Sequence, residues 1–320
     1  MTQVTNSGFQ TLVNRQPAPG QAGDFYGVNP RAVVLSANVP AGASGAGGAA
    51  AQGALVAPPG GLIVGNFAWA DLTTGVVSQS YNPNGQLGIL HRDEQAVITT
   101  FLGVSTYILN AGFEATLFSQ ADLWALFAAG ATPGQNVYAD PRTGAPVAGG
   151  ASAPNVASVT GSVGASFTGV IATNVLTASA VTGYLSPGDI INGTSVVNAV
   201  LGAQLTGTPG GAGTYTLVHA DQTSEAMTST STVLDVTAVG SGVLGVGDKL
   251  TGPSGSPLIT AQISSTETDS HLGGKGLYQL SGSPISFASG TITVAAIATP
   301  WKVKSKAGNG EVAKISTWGK

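Results

Sequence analysis

The sequence predicts an all-β protein made of two parts. The first is a core domain of β-sandwich, jelly-roll-like or tulip-like form, and the second is an inserted, β-rich domain that contains a duplication. Three observations predict this class. Short apolar or β-branched runs alternate with Gly, Pro and Asn, which is typical of strands joined by turns. Charges and tryptophans divide the chain into three segments. A motif of about 60 residues occurs twice in the middle segment.

The predicted core strands are short runs bounded by Gly, Pro or Asn, at residues 31–35, 61–64, 96–100 and 113–118. Residues 119–127 (SQADLWALF) suit two structures, because the first four residues look like a helix capping box. The apolar run is nevertheless under ten residues and stops before Gly130, so a strand is favoured over a helix. The Gly/Ala/Pro-rich residues 41–61 are predicted to form a loop.

The insertion is predicted from the distribution of charge. Residues 1–150 contain all four Arg and no Lys, whereas residues 151–297 contain seven acids, two Lys, no Arg and no Trp. Residues 298–320 contain five Lys, one Glu and two Trp. Because the last segment shares the tryptophans of the first, the simplest interpretation is a core domain of residues 1–150 plus 298–320, interrupted by an inserted domain of residues 151–297.

The insert contains two repeats, at about 167–230 and 231–297. Three pairs of motifs define them: VLTASAVTG at 175–183 with VLDVTAVG at 233–240, LSPGDI at 185–190 with LGVGDKL at 244–250, and GAGTYTL at 211–217 with GKGLYQL at 274–280. Asp189 and Asp248 are equivalent, and both follow a Gly, so we expect turn formers; calcium ligands would need further carboxylates nearby. The equivalent Tyr215 and Tyr278 are predicted to pack in the repeat cores.

Composition excludes several classes of protein. Only 8% of residues are charged, the net charge is −4, and mean hydropathy is +0.26, which argues against a disordered chain. An isoelectric point near 5.2 argues against a nucleic-acid binder. The absence of Cys removes disulfides and thiolate chemistry. No run of 18 apolar residues and no export signal occurs, so no membrane partner is expected.

Catalytic motifs are also missing. The chain has no Gly-x-Ser-x-Gly, and Gly276 stands where a phosphate-binding loop needs Ser or Thr. The three histidines, His91, His219 and His271, are far apart in sequence, so no metal site is expected. Asp93 and Glu94 would point to opposite faces of a strand, so they are interpreted as a polar turn or interface patch. We therefore expect no enzyme activity, no cofactor and no metal.

Lys302, Lys304 and Lys306 alternate around Val303, so a strand would place them on one face. Two interpretations remain open. The stripe is a solvated or edge-protecting face, since Lys prevents unwanted edge pairing, or it contacts an acidic partner surface.

Several motifs of the core resemble the structural cement proteins of tailed-phage capsids. They are GDFYGVNPR at 23–31, GNFAWA at 65–70, GILHRDEQAVIT at 88–99, GQNVYAD at 134–140, TPWKV at 299–303 and GEVAKISTW at 310–318. The resemblance covers about 170 residues in the correct order. The insert is the departure from this pattern, and its repeats resemble Gly/Thr-rich β modules of other phage virion proteins.

The resemblance implies a non-enzymatic protein on the outer surface of the phage head. Such a protein would bridge neighbouring subunits of the major capsid protein and would form a homodimer or homotrimer, with the insert projecting outward. The residues expected to contact the capsid are Arg31, Trp69, His91, Arg92, Lys302, Lys304 and Trp318. The alternative is a head fibre or adhesin whose insert binds host glycans through its few aromatics: Phe167, Tyr184, Tyr215, Tyr278 and Phe287.

Overall fold

The structure is a computed structural model that describes residues 20–34, 55–92, 107–264 and 273–319. In these four ranges the chain forms strands, bridges, turns and loops and no helix, so the all-β prediction is confirmed. No helix in the described part of the chain is long and apolar enough to cross a membrane. The predicted strand at 96–100 and most of the predicted loop at 41–61 lie outside the described residues.

The first ten strands precede the predicted insert. They are β1 (Ala32–Val33), β2 (Leu62–Ile63), β3 (Phe67–Ala70), β4 (Val77–Ser78), β5 (Gln86–Leu90), β6 (Ile108–Leu109), β7 (Leu117–Gln120), β8 (Asp122–Phe127), β9 (Asn136–Ala139) and β10 (Pro146–Gly149).

Fourteen strands follow. They are β11 (Asn155–Val163), β12 (Ala165–Ala172), β13 (Val175–Gly183), β14 (Ile190–Asn192), β15 (Ala199–Gly207), β16 (Gly213–Leu217), β17 (Gln222–Thr230), β18 (Val233–Ser241), β19 (Leu250–Thr251), β20 (Ile259–Ser264), β21 (Gly276–Leu280), β22 (Phe287–Ala295), β23 (Ile297–Val303) and β24 (Glu311–Ser316).

Two five-stranded sheets form a sandwich. The first has the order β1-β7-β5-β3-β4 and the second the order β10-β9-β23-β24-β8. Their facing side chains make one buried cluster that includes Phe67, Trp69 and Ile89 from the first sheet and Phe127 and Trp301 from the second. The other face of the first sheet packs on the short β2-β6 sheet. Burial of apolar surface on both faces of the first sheet is the main stabilising contribution that this arrangement offers.

Most of the segment at 119–127 is the strand β8, as favoured from the sequence, and its first two residues are the end of β7. β8 pairs with β24 along six residues, and Leu123, Ala125 and Phe127 point into the sandwich. Buried side chains at every second position suit a strand, whereas a helix would need apolar residues three or four positions apart.

Two other core predictions are partly wrong. Only the last residues of the predicted strand 113–118 belong to a strand, because Glu114 instead makes a single bridge with Val56. The described end of the predicted loop 41–61 is likewise not a free loop: Leu55, Val56 and Ala57 are buried in the core. These short pairings lie between distant segments, and local propensity does not indicate them.

The region between β10 and β23 forms two further six-stranded sheets. One is a closed barrel of order β12-β13-β16-β15-β14-β17, filled by side chains such as Phe167, Leu176 and Tyr215. The other has the order β19-β22-β11-β18-β21-β20 and buries Leu234, Tyr278 and Ile292. We call them the closed repeat and the open repeat.

The three sheet systems are nested along the chain. β11 belongs to the open repeat, pairing with β18 and β22, so the whole closed repeat lies between two strands of the open one. Both repeats in turn lie between β10 and β23, which join the same core sheet through β9. Strand pairing describes sheets and not independent folding units, so the division into a core domain and an inserted domain stays a prediction.

Candidate functional site

The segment before β1 runs along the edge of the second core sheet. Phe25 bridges to Leu123, the Gly23 amide donates to the Trp124 carbonyl at 2.8 Å, and the Trp124 amide donates to the Asp24 carbonyl at 2.9 Å. This pairing covers the edge of β8 and brings residues 23–31 beside the end of β5, where His91 and Arg92 lie.

Two of the predicted contact residues, Arg31 and His91, pack against the ring of Phe25. The Arg31 guanidinium lies 3.4 Å from the centre of the Phe25 ring, and the His91 ring centroid lies 4.1 Å from it. His91 Nδ1 is 2.6 Å from the Gly23 carbonyl oxygen. Arg31 is exposed and His91 is half-buried, so this cluster presents a guanidinium group and part of an imidazole ring at the surface.

Arg92 lies next to this cluster. Its guanidinium is 3.5 Å from an Asp24 carboxylate oxygen, hydrogen-bonds the Gln21 side chain, and lies 5.8 Å from the Tyr107 ring centre. Both side chains of the ion pair are about one-third exposed, at 30% and 38%. Such a pair contributes little to stability, which leaves Arg92 free to exchange Asp24 for another acid.

Trp69 lies inside the sandwich. It is 2% exposed, and its ring meets Tyr81 edge to face at 5.6 Å. Because the ring is enclosed, we assign Trp69 a packing role beneath the surface.

Lys302 and Lys304 lie at the end of β23 and just after it. Their neighbours Trp301 and Val303 are each 1% exposed and point inward, so both lysines project from the outer face of the second sheet. Lys304 Nζ donates to the Gly319 carbonyl at 2.6 Å, and Lys306 is exposed beyond the strand. β23 lies between β9 and β24, so the edge-protecting interpretation of the stripe is wrong.

Trp318 lies between the lysines that follow β23 and the segment that carries Arg31. It is 37% exposed, and its indole nitrogen donates to the Pro30 carbonyl at 3.0 Å, next to Arg31. Beneath it, the buried Asp122 accepts hydrogen bonds from Ser316 at 2.5 Å and Asn29 at 2.7 Å. The structure therefore brings Arg31 and Trp318 together, although 287 positions separate them in the sequence.

Sequence reasoning missed three residues on the outer face of the second core sheet: Lys314, Trp124 and Tyr26. Lys314 lies opposite Trp124 in the pairing of β24 with β8, and its Nζ is 5.3 Å from the Trp124 ring centre and 5.2 Å from that of Tyr26. Burial and the nearby Asp122 carboxylate raise the pKa of Tyr26 to about 12, so its phenol is neutral at physiological pH. The alternation of Lys314 with the apolar Ala313 and Ile315 is the signal that could have found it.

The repeats contain buried acids that serve their turns. Asp189 accepts a hydrogen bond from the Ser186 amide at 3.0 Å, and Asp248 accepts one from the Gly245 amide at 2.8 Å. These bonds confirm that both are turn formers. No group of three or more acids or histidines able to hold a metal occurs among the described residues, which do not include His271.

The open repeat touches the core at Arg142, in the turn between β9 and β10. Arg142 Nη2 pairs with Asp140 at 2.8 Å, Nη1 donates to the Val243 carbonyl, and Nε lies 3.9 Å from Asp248 Oδ1. Asp248 is fully buried, and this oxygen has no hydrogen-bond partner. Arg142 therefore couples the core turn to a buried carboxylate of the open repeat.

Comparison with protein families gives the biological context. The family model of the XM1 gp53 minor capsid protein matches residues 9–192, more than half of the chain, from the segment before β1 through β14. No curated protein matches the chain. The matched family consists of structural components of the phage virion and not of enzymes, in agreement with the missing catalytic motifs. The chain belongs to the XM1 gp53 minor capsid protein family and is a structural, non-enzymatic component of a phage capsid.

Proposed function

We propose that this minor capsid protein is a cement or decoration protein. Its core binds the outer surface of the icosahedral head and bridges neighbouring major capsid subunits, while the two repeats project outward. The observation that supports this proposal is the path of β23. Its first residue follows the last strand of the open repeat, and Lys302 and Lys304 lie at its other end.

β23 runs from the open repeat into the second core sheet. β22 ends at Ala295 and β23 begins at Ile297, so β23 enters the core directly from the open repeat. Its seven residues span about 20 Å. Lys302 and Lys304 lie at the far end, together with Trp318 and Arg31. A core that docks here contacts the shell about 20 Å from the point where β23 leaves the open repeat, so the repeats need not touch the shell.

The residues proposed to contact the capsid are those that the structure leaves accessible. They are Arg31, His91, Arg92, Lys302, Lys304 and Trp318. Tryptophan and arginine are frequent anchors of protein interfaces, because they combine a large contact area with hydrogen bonding. Trp69 is buried inside the sandwich and is not part of the proposed contact surface.

Cementing needs no chemistry beyond binding. A ligand that binds the assembled shell and not the separated subunits stabilises the shell by mass action. Contact with several subunits at once, or assembly of the protein itself into a dimer or trimer, adds the gain of multivalency.

The test is co-sedimentation of the full-length protein with empty expanded heads and, separately, with dissociated major capsid protein. We expect saturable binding to heads and a higher thermal disruption temperature of the decorated shells. An acidic protein of similar size is the control. Absence of binding to heads, or equal binding to dissociated subunits, contradicts the proposal.

The second candidate is a head fibre or adhesin that binds host glycans. Sugar recognition usually needs exposed aromatic rings, but Phe167, Tyr215 and Tyr278 are buried in the repeats. Tyr184 and Phe287 are half-buried. A glycan array probed with the full-length protein decides this candidate, and specific binding abolished by Tyr184→Ala would favour it.

A further inference from the structure

We propose that the outer face of the second core sheet binds an acidic surface of the shell subunit through ion pairs. This lysine face consists of Lys302, Lys304 and Lys314, with Trp124 and Tyr26 beside them. The inference rests on the proposed cement function and names the chemistry of its partner.

The three lysines form one patch. Lys302 and Lys304 flank the inward-pointing Val303, and Lys314 lies between the inward-pointing Ala313 and Ile315. The Lys304 amide donates to the Lys314 carbonyl at 2.7 Å, so these two residues are neighbours on adjacent chain segments. Like charges across a sheet repel one another, so this arrangement costs stability.

The described residues do not neutralise that charge. The ion pairs found among them involve Arg92 and Arg142, and none involves a lysine of this face. The two acids on the strands of this sheet have other roles. Asp122 is 3% exposed and accepts bonds from Ser316 and Asn29, and Glu311 accepts a bond from the Gly308 amide at 2.7 Å.

The position of the strands excludes a protective role against edge pairing. β23 has β9 and β24 as neighbours, and β24 has β23 and β8. Their backbone groups are therefore already paired within the sheet. The lysines are not needed there to prevent contact with another strand, and a partner with negative charge offers them a use.

The aromatic residues add an ordered border to the patch. Lys314 lies over the rings of Trp124 and Tyr26, which limits the conformations of its side chain before binding. Such preorganisation lowers the entropy lost on association. Tyr and Trp are also common interface anchors, so the face combines cations with rigid contact area.

The charge of the whole molecule favours an acidic protein surface over nucleic acid. The chain has a net charge of −4, and residues 151–297 contain seven acids against two lysines. A polyanion as long as DNA would meet this negative region, whereas a local cluster of carboxylates on a shell subunit would meet the lysine face alone.

The experiment measures binding to expanded heads across a NaCl series, for example from 50 to about 500 mM. The test variant is K302Q/K314Q, which keeps Lys304 because its side chain bonds the Gly319 carbonyl. The matched control is K249Q/K275Q, which removes the same charge from two exposed lysines of the open repeat. Thermal melting checks that each variant is folded, and Lys302→Gln alone serves as a milder replacement.

We expect K302Q/K314Q to bind about three to thirty times more weakly at low salt, and with a shallower salt dependence. The control variant should bind like the wild type. Equal binding and equal salt dependence of K302Q/K314Q and wild type would overturn this inference and leave the cement function standing. Failure of the wild-type protein to bind heads would reject the cement function itself. Binding of duplex DNA at physiological salt, lost in K302Q/K314Q, would also overturn the inference.

Discussion

The closed and open repeats have the same strand order and differ at one seam. β11 corresponds to β12, and β18 to β22 correspond to β13 to β17, because each pairs with equivalent neighbours. In the closed repeat, Ile190 and Ile191 pair with Val200 and Ala199. In the open repeat this ladder is reduced to a single bridge between Lys249 and Leu258.

A proline explains the difference at the seam. The first bonds are kept in both repeats: the Leu201 amide donates to the Asp189 carbonyl at 2.8 Å, and the Ile259 amide donates to that of Asp248 at 3.0 Å. Two residues before Ile259 is Pro257, at the position that Ala199 occupies before Leu201. The Leu250 amide still donates to the Pro257 carbonyl at 2.9 Å, but proline has no amide hydrogen to return a bond across the seam. The missing proline amide therefore accounts for the shorter pairing at this seam.

The repeats also differ in how their equivalent buried acids are satisfied. Asp189 accepts a bond from the Ser229 hydroxyl at 3.3 Å, within the closed repeat. Asp248 lacks that support, and the nearest cation is Arg142 of the core turn. The buried acid of the closed repeat is thus satisfied without the core, whereas that of the open repeat has a core arginine as its cation.

The largest loss of stability should come from Arg142→Met, which removes the cation beside Asp248. The variant leaves Asp140 and Asp248 without their cation at a mostly buried site, so we expect a loss of about 3 kcal/mol at pH 8 in urea unfolding of the full chain. The control is Arg92→Met, which breaks a partly exposed pair and should cost under about 1 kcal/mol. Similar losses in both variants would contradict the coupling.

The next effect concerns pH. Burial raises the pKa of Asp248 to about 7, although the Gly245 amide and Arg142 lower it, and the Asp140 charge raises it further. The folded state therefore holds this proton more tightly than the unfolded state. Its stabilising contribution is complete below the ordinary pKa near 3.8 and is lost as pH rises to about 7.

Asp248→Asn should remove this dependence and stabilise the protein by about 2 kcal/mol at pH 8, with little gain at pH 4. Thermal melts between pH 4 and 8 measure it. Burial also raises the pKa of Asp189, so Asp189→Asn is the comparison within the closed repeat. A gain for Asp248→Asn that is the same at every pH would argue against titration as its cause.

A smaller loss of stability, equal in the two repeats, is expected from replacing the equivalent buried tyrosines. The Tyr215 hydroxyl donates to the Gly211 carbonyl at 2.6 Å, and the Tyr278 hydroxyl donates to that of Gly274 at 2.5 Å. Tyr→Phe at either position removes one hydrogen bond and should cost about 1 kcal/mol. Chemical denaturation compares the two, and a large difference between them would show that the repeats use this residue differently.

The smallest effect on stability should come from Pro257→Ala. The new amide can extend the seam ladder, but the unfolded chain gains conformational freedom, and the two contributions nearly cancel, within about 0.5 kcal/mol. The clearer result is kinetic. We expect the new amide at position 257 to be protected in hydrogen exchange, and rapid exchange there would mean that proline does not keep the seam open.

The sequence predicted the features that depend on local pattern. β8 was favoured over a helix because the apolar run is short and stops before Gly130, and the turn roles of Asp189 and Asp248 follow from the repeated Gly-Asp step. The membership of β11 in the open repeat was not predicted, because the recognisable motif of that repeat begins at Val233. Nothing local in β11 specifies β18 as its partner.

The candidate surface shows the same limit. Alternation placed Lys302 and Lys304 on one face, but pairing of β23 on both sides had to be seen before edge protection could be rejected. Lys314 and Trp124 meet through a register that joins residues 190 positions apart. The burial of Trp69 was not predicted, because a single tryptophan gives no indication of which side of its strand faces the core.

The nesting of the three sheet systems gives the chain an order of completion. During synthesis, β12 to β17 can close while the open repeat still lacks all its strands except β11, and the second core sheet lacks β23 and β24 until both repeats have been made. Each outer system joins segments separated by a complete inner one, which makes its pairing the more distant and slower event. Lys302 and Lys314 lie on these last strands, and Lys304 follows β23 directly. A chain interrupted before β23 therefore lacks the lysine face, which forms only after both repeats have been made.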